Sequence, residues 1–259
     1  MTILKLKMIN KVSQIFITEE EKVIIPPLIQ EAIQTVKTAF NTCSYTLYDK
    51  NRLEELIRTE FGKDAHNAFM KLRAFASKAD LGRFCIAYLS GGWYVDITIK
   101  IQKKLSIGDA FDLVAFIDQG HGPLAPGSIS YPVQNGLFYT KPKNQIFAKA
   151  IELVIENCKN ENYGFTPICP SGPGILGRSI AFYGAQKSHV IGHFTALTPS
   201  HNQKNKSYIL PSGDIFALHK DVWMPKAKAG EIESLGAKGT NNYVDLYTTG
   251  EFYDKDIIM

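Results

Sequence analysis

Residues 78–100 read KADLGRFCIAYLSGGWYVDITIK, which predicts a helix, a tight break and then a strand. The helical part has one apolar face, built from residues at helical spacing: Leu81, Phe84, Cys85 and Tyr88. Gly91 and Gly92 end the helix, because glycine adopts the left-handed backbone of a helix end at little cost. The strand that follows alternates in polarity, and its apolar positions are Trp93, Val95, Ile97 and Ile99. This alternation is typical of a half-buried strand.

The polar side chains of this stretch converge if the turn folds the helix back on the strand. Asp80 and Arg83 are three residues apart and share one face of the helix. The other face of the strand carries an aromatic ring, a carboxylate and a hydroxyl, from Tyr94, Asp96 and Thr98. Two plainer interpretations stay open at this point. Asp80 and Arg83 can form an exposed ion pair, which stabilises little, and the polar strand face can simply be solvated.

The runs ADLGRF (residues 79–84) and GGWYVD (residues 91–96) resemble the sugar-binding segment of glycosyltransferase family 32. The usual pattern of that family is Ala/Ser-Asp, a nearby Arg, Gly-Gly-x-Tyr and then Asp-x-Asp. The resemblance implies an α/β fold of the GT-A type, with a mixed central sheet flanked by helices. It also implies transfer of a sugar, with retention of anomeric configuration, from a nucleotide sugar to a glycan or glycolipid acceptor in polysaccharide or lipopolysaccharide synthesis.

The resemblance also assigns roles to individual residues. Asp80 and Arg83 would bind the hydroxyl groups of the donor sugar. Tyr94 and Asp96 would contact the ribose, the diphosphate or a metal shell. Asn135 matches an Asn that the family places beside the donor sugar, although a structural role in a turn or bulge is an alternative. Asp80, Arg83, Asp96 and Asn135 are therefore the predicted catalytic residues.

Thr98 departs from the family pattern, because it stands where the second Asp of Asp-x-Asp is expected. In the family that carboxylate holds a divalent metal, and a neutral hydroxyl offers such a cation far less charge. His219 resembles a late His that lies near the donor diphosphate, where it could supply part of the missing charge or ligation. Asp96 and His219 are the candidate ligands for Mn²⁺ or Mg²⁺. A buried core histidine is the alternative for His219.

Further donor-binding residues are predicted near the two ends of the chain. Gln14 and Phe16 resemble the family's opening strand, where an aromatic lies near the nucleotide base. A core aromatic is the alternative for Phe16. Lys238 and Asn241 lie in a tail rich in Gly, Asn and Thr, which suits a lid over the phosphates. An ordinary surface loop is the alternative there.

The remaining elements follow from periodicity and from Gly and Pro positions. Asp49 is expected to cap a helix rather than to bind a ribose. Residues 172–177 match G-x-G-x-x-G, but no acidic residue follows about twenty positions later, so a tight turn that opens a helix is favoured. The main predicted strands and helices are strands at 10–18, 44–49, 112–118 and 133–138, and helices at 28–40 and 144–157.

The composition sets broad limits. The 259 residues are 45% hydrophobic, enough for one large domain or two small ones. The family resemblance implies a single domain over 1–259, in which about 1–110 bind the nucleotide sugar and about 111–259 supply the acceptor half and a C-terminal lid. The net charge of +4 suits a small anionic ligand and does not indicate nucleic acid. The four cysteines are widely spaced, which favours reduced thiols and a cytoplasmic location. Peripheral contact with the inner face of a membrane is left open.

Two other functions remain alternatives. A relative with a degenerate Asp-x-Asp motif could bind a nucleotide sugar or glycan without turnover, and would then saturate with donor but release no nucleotide. A metal-assisted phosphoesterase could use Asp96 and His219, although the sequence lacks the clustered carboxylates that such sites usually need.

Overall fold

The computed structural model describes residues 10–19, 24–105, 110–120, 122–124, 130–197, 206–223 and 243–259. The strands in these ranges are β1 (Lys11–Ile15), β2 (Ser44–Tyr48), β3 (Gly92–Val95), β4 (Lys100–Ile101), β5 (Leu113–Asp118), β6 (Leu137–Thr140), β7 (His189–Ala196), β8 (Lys206–Ile209) and β9 (Ile215–Leu218). The helices are α1 (Pro27–Ala39), α2 (Lys50–Lys71), α3 (Phe75–Ser90), α4 (Gln145–Asn160), α5 (Pro173–Tyr183), α6 (Lys220–Trp223) and α7 (Tyr243–Thr248).

The described strands form one mixed sheet in the order β2-β1-β3-β6-β5-β7-β8-β9-β4. β1 runs parallel to both β2 and β3, and β5 runs parallel to β7. The other neighbouring strands pair antiparallel. The predicted α/β class, with a mixed central sheet flanked by helices, is confirmed.

Both faces of the central strands are buried. Along β5, Leu113 and Ala115 face a large core that includes residues of α2, α3, α4 and α5. Val114 and Phe116 face a second core, which includes Val36 of α1. Such double burial makes a strand apolar on both sides instead of alternating in polarity.

The prediction that the strand after Gly92 is half-buried is therefore wrong. Tyr94 is only 2% exposed, and its ring stacks on Phe138 with centroids 5.4 Å apart. The reason is topological, because β3 lies between β1 and β6 in the middle of the sheet. The strand also ends earlier than predicted. A turn closed by the Ile99 N–H bond to the Asp96 carbonyl (3.0 Å) follows Val95.

The helix before this strand agrees with the prediction. Leu81, Phe84 and Cys85 are fully buried on its inner face. The helix ends at Gly91, with φ at 59°, and Gly92 follows with φ at 89°.

Predictions elsewhere hold with small changes of boundary. Asp49 caps α2, since its Oδ1 accepts the Arg52 N–H at 2.8 Å. Gly172 is the residue at which α5 opens. The strand expected over 133–138 is shorter, because β6 starts at Leu137 and Val133 forms only an isolated bridge with Ile117.

No helix in the described ranges is both long and apolar enough to cross a membrane. The four cysteines, all within those ranges, are free thiols.

Gly92 offers a test of how tightly β3 is packed against β1. A Cβ added at Gly92 would lie 2.5 Å from the Lys11 carbonyl oxygen, in a backbone with positive φ. Gly92→Ala is expected to lower the free energy of unfolding by more than about 3 kcal/mol, from left-handed strain plus overpacking. Denaturant unfolding measures this difference.

The matched control is Gly250→Ala. Gly250 has φ at 73°, but nothing lies within 4 Å of its added Cβ. Gly250→Ala should therefore lower the free energy of unfolding by only about 1 to 2 kcal/mol, from conformational strain alone. Equal losses for the two variants would contradict the close approach of β1 and β3.

Candidate functional site

Asp80 lies at the centre of a polar cluster on the inner side of α3. Its Oδ1 accepts a hydrogen bond from Asn135 Nδ2 at 2.8 Å, and its Oδ2 accepts one from Ser171 Oγ at 2.9 Å. Arg83 Nη2 lies 3.3 Å from Oδ1, and the Asp80 side chain is only 14% exposed. Three elements that are far apart in the sequence therefore hold this one carboxylate.

Arg83 joins Asp80 to a second carboxylate. Its Nη1 lies 3.2 Å from Asp96 Oδ1 and donates to the Asn135 carbonyl at 3.1 Å. Its Nε donates to the Ala79 carbonyl at 3.2 Å, and the residue is 5% exposed. Asp80 and Arg83 are thus a buried bridge, and the interpretation as an exposed helix-surface pair is wrong.

Tyr94 and Asp96 complete the cluster from β3 and the turn after it. The Tyr94 hydroxyl donates to Asp96 Oδ1 at 2.8 Å, and the Arg83 guanidinium lies over the Tyr94 ring at 4.9 Å. A Cβ added at Gly136 would come within 2.6 Å of Asp96 Oδ2, so only glycine leaves room for this carboxylate. The Asp96 side chain is 34% exposed and is the most exposed of the three charged groups, since those of Asp80 and Arg83 are 14% and 6% exposed.

Burial sets the protonation of these groups. It raises the pKa of Asp80 above its usual value, even though Arg83, Ser171 and Asn135 all favour the charged form. Burial also raises the pKa of the Tyr94 hydroxyl well above its usual value. For Arg83, burial opposes the charged form, but the surrounding acidic groups, Asp96 foremost, outweigh it and raise the pKa further. Burial therefore disfavours the ionised form of Asp80 more strongly than its three partners favour it.

Asn135 and Gln14 are placed behind the cluster. Asn135 is 3% exposed and serves Asp80 with its side chain and Arg83 with its carbonyl. Gln14 is fully buried, with its Nε2 3.4 Å from the Asp96 carbonyl oxygen and its Oε1 accepting the Tyr45 hydroxyl at 2.9 Å. Both residues hold the polar framework in position.

Phe16 is buried in a small core with Ile29, Ile33 and Ile97. Phe16 is therefore a core aromatic, the alternative given above, and its stacking on a nucleotide base stays a prediction. Lys238 and Asn241 lie outside the described residues.

His219 lies in a separate pair. Its Nδ1 is 3.1 Å from Asp221 Oδ2, and its ring meets Phe194 edge-on at 5.3 Å. Thr98 lies in the turn that follows β3. Within the described ranges, no group of three or more His, Cys, Asp or Glu side chains could hold a metal ion. A metal shell formed by Asp96 and His219 stays a prediction.

Sequence reasoning missed Ser171 and the reason for the glycine beside it. A Cβ added at Gly172 would lie 3.1 Å from Asp80 Oδ2, so this glycine lets the loop before α5 approach the carboxylate. The Ser-Gly-Pro-Gly run was visible, but it indicated only a turn. Its contact with Asp80 spans 91 residues, which no local pattern shows.

No protein-family model matches the chain, and no curated protein matches it. Among solved structures, PaToxG glycosyltransferase is 14% identical over 67% of this chain and 68% of that chain, with a TM-score of 0.49. A glycosyltransferase involved in the glycosylation of the major capsid of PBCV-1 is 11% identical over 87% of this chain and 98% of that chain, with a TM-score of 0.41.

The raised pKa of Asp80 gives a prediction about stability. A carboxyl whose folded-state pKa is raised contributes stability that is complete below the unfolded pKa, about 3.9, and is lost as pH rises through the folded pKa. Asp80→Asn does not titrate, so the free energy of unfolding of the wild type relative to this variant should rise as pH falls through the folded pKa of Asp80. Urea unfolding of both proteins from neutral pH down to about pH 4 measures this trend.

Asp64→Asn is the control with the opposite sign. Asp64 is exposed and accepts a hydrogen bond from Lys159 at 2.6 Å, which lowers its pKa. That stability is present above the unfolded pKa and is lost as pH falls, so this variant should be the less stable one at neutral pH. An Asp80→Asn variant that behaved like Asp64→Asn would contradict the costly burial of Asp80.

Proposed function

We propose that the chain is a glycosyltransferase of the GT-A type, which transfers a sugar from a nucleotide sugar to a glycan or glycolipid acceptor with retention of configuration. The observation that carries the proposal is the bridge Asp80–Arg83–Asp96, buried at one end and open at Asp96. The residues on which the family resemblance rests are those that the fold brings together. A polysaccharide or lipopolysaccharide is the acceptor class that we propose.

The bridge suits a sugar better than a charged ligand. Carboxylates and a guanidinium in fixed positions can accept from and donate to the hydroxyl groups of a pyranose. Holding the ring this way presents its anomeric carbon to an acceptor hydroxyl. In the transfer, the bond from that carbon to the diphosphate breaks, a bond to the acceptor oxygen forms, and the proton of the acceptor hydroxyl passes to the leaving diphosphate.

The negative charge that develops on the leaving diphosphate needs cations or hydrogen-bond donors. The described residues do not fit a metal held by the protein alone. Arg83 and the Tyr94 hydroxyl already bind the Asp96 carboxylate, and His219 is paired with Asp221.

A non-catalytic nucleotide-sugar-binding protein is the second candidate. The observation that favours it is the combination of Thr98 in place of a carboxylate with an Asp96 side chain already bound by Arg83. Such a protein would keep the sugar pocket and bind donor without turnover. Release of nucleotide distinguishes the two functions.

The main test of the proposed function is Asp96→Ala. The nucleotide is first identified by unfolding with UDP, GDP and CMP, since a ligand at a hundred times its dissociation constant stabilises by about 2.7 kcal/mol. Nucleotide release from the matching nucleotide sugars is then measured. Asp96→Ala should abolish release and still fold, because Arg83 keeps its contacts with Asp80 and the Asn135 carbonyl.

Asp112→Ala is the matched control. Asp112 pairs with Lys141 at 2.6 Å and lies beside Leu113, the first residue of β5. Its ion pair in the described part of the chain does not involve Asp80, Arg83 or Asp96, so Asp112→Ala should retain full activity. Full activity of Asp96→Ala would show that the site is assigned wrongly, and saturable binding with no release by the wild type would favour the binding protein.

A second prediction concerns Thr98. Thr98→Asp places a carboxylate two residues after Asp96, which restores the family pattern and adds a hard oxygen ligand. The stabilisation of this variant by nucleotide should depend more on Mn²⁺ than that of the wild type, as measured by unfolding with metal and with a chelator. Thr98→Asn is the neutral control. An unchanged response to metal in Thr98→Asp would place residue 98 outside any metal shell.

A further inference from the structure

Asp118 is a second buried carboxylate, at the carboxyl end of β5 and outside the cluster described above. It is fully buried. Its Oδ2 accepts a hydrogen bond from Gln134 Nε2 at 2.6 Å, and its Oδ1 accepts one from the Gly120 N–H at 2.9 Å. A Cβ added at Gly120 would lie 3.2 Å from Asp118 Oδ1 and 3.2 Å from Lys206 Nζ, so both charged groups face this glycine. Because Asp118 is fully buried, its hydrogen bonds with Gln134 and Gly120 act on neighbouring groups of the protein.

Gln134 connects this carboxylate to the cluster formed by Asp80, Arg83 and Asp96, which is called the sugar-binding cluster below because the proposed function assigns it to the donor sugar. Its side chain bonds Asp118, and its N–H donates to the Phe116 carbonyl at 2.8 Å. The next residue, Asn135, bonds Asp80 with its side chain and accepts from Arg83 with its carbonyl.

Gly136 follows, and its carbonyl accepts the Asp96 N–H at 2.6 Å. Residues 134–136 therefore touch Asp80, Arg83 and Asp96 from one short segment that precedes β6.

We propose that Gln134 is a positioning residue, whose hydrogen bond to Asp118 fixes residues 134–136 so that Asn135 and Gly136 hold the sugar-binding cluster in its productive geometry. The proposal rests on the proposed function for the identity of the ligand. Hydrogen bonds to a charged acceptor are stronger and more directional than neutral ones. A buried charge also cannot exchange its partner for water without cost. The pair is therefore a fixed anchor for a segment that carries three of the contacts that the site needs.

A charge swap tests the pair without changing its size or its net charge. Gln134→Glu alone places two carboxyl groups in contact and should break the anchor. Combined with Asp118→Asn, it restores one hydrogen bond with donor and acceptor exchanged. In Asp118→Asn, the remaining oxygen of residue 118 can still accept the Gly120 N–H.

The first readout compares nucleotide with nucleotide sugar. Gln134→Glu should weaken binding of the nucleotide sugar at least about tenfold, equivalent to one lost buried interaction, and leave binding of the nucleotide alone unchanged. The double variant Gln134→Glu/Asp118→Asn should return to within about threefold of the wild type. Gln119→Glu is the matched control, because Gln119 is exposed and bonds His193 instead, and it should bind both ligands as the wild type does.

The second readout needs no ligand. Hydrogen exchange of the Asp96 N–H, which bonds the Gly136 carbonyl, should be faster in Gln134→Glu and slow again in the double variant. The Phe40 N–H, which bonds Val36 at the end of α1, should not change.

These readouts separate the two proposals. If no nucleotide sugar stabilises the wild type, the proposed function fails, and the exchange of the Asp96 N–H alone decides the role of Gln134. A double variant as defective as Gln134→Glu would overturn the proposal. Equal weakening of nucleotide and nucleotide-sugar binding would also overturn it, because Gln134 would then support the fold in general.

Discussion

The burial of Arg83 between Asp80 and Asp96 is the constraint on which the site depends. Taking three charged groups out of water costs several kcal/mol for each ion, and their mutual attraction offsets this only if the remaining donors and acceptors are also satisfied. Asn135, Ser171 and the Tyr94 hydroxyl meet that condition. Those partners come from three separate parts of the chain, so the bridge also fixes how β3, the segment before β6 and the loop before α5 meet α3.

In the proposed function, this arrangement serves recognition of a ligand more than stability. The pKa of Asp80 stays raised even with Arg83 beside it, so ionising Asp80 costs more free energy in the folded protein than in the unfolded chain. A core of aromatic and aliphatic side chains around α3 supplies the compensating stability. Groups that are fixed in advance lose little conformational entropy when a ligand arrives, which is the advantage of a rigid site.

Local sequence patterns predicted most helices and strands, but they could not predict contacts between residues that are far apart in the sequence. The helical spacing of Leu81, Phe84 and Cys85 and the glycines after them placed α3 and its end correctly. The burial of Tyr94 was missed, because it depends on β3 being central in the sheet, and strand order is not a local property. The contact of Ser171 with Asp80 was missed for the same reason. Asp80 and Arg83 were found as a pair from their spacing, but their burial became clear only from what packs around them.

The charge count of the site indicates which part of a donor it can receive. Asp80 and Asp96 carry two negative charges against one on Arg83, so the cluster is net negative when all three are ionised. A diphosphate placed there would be repelled, whereas neutral sugar hydroxyls would find both donors and acceptors. In the proposed function, the diphosphate would lie away from this cluster, towards Lys206 and His219, which are neighbours because the His219 N–H bonds the Lys206 carbonyl. A donor with a neutral head and an anionic leaving group fits this division of charge, and a simple phosphate ester does not.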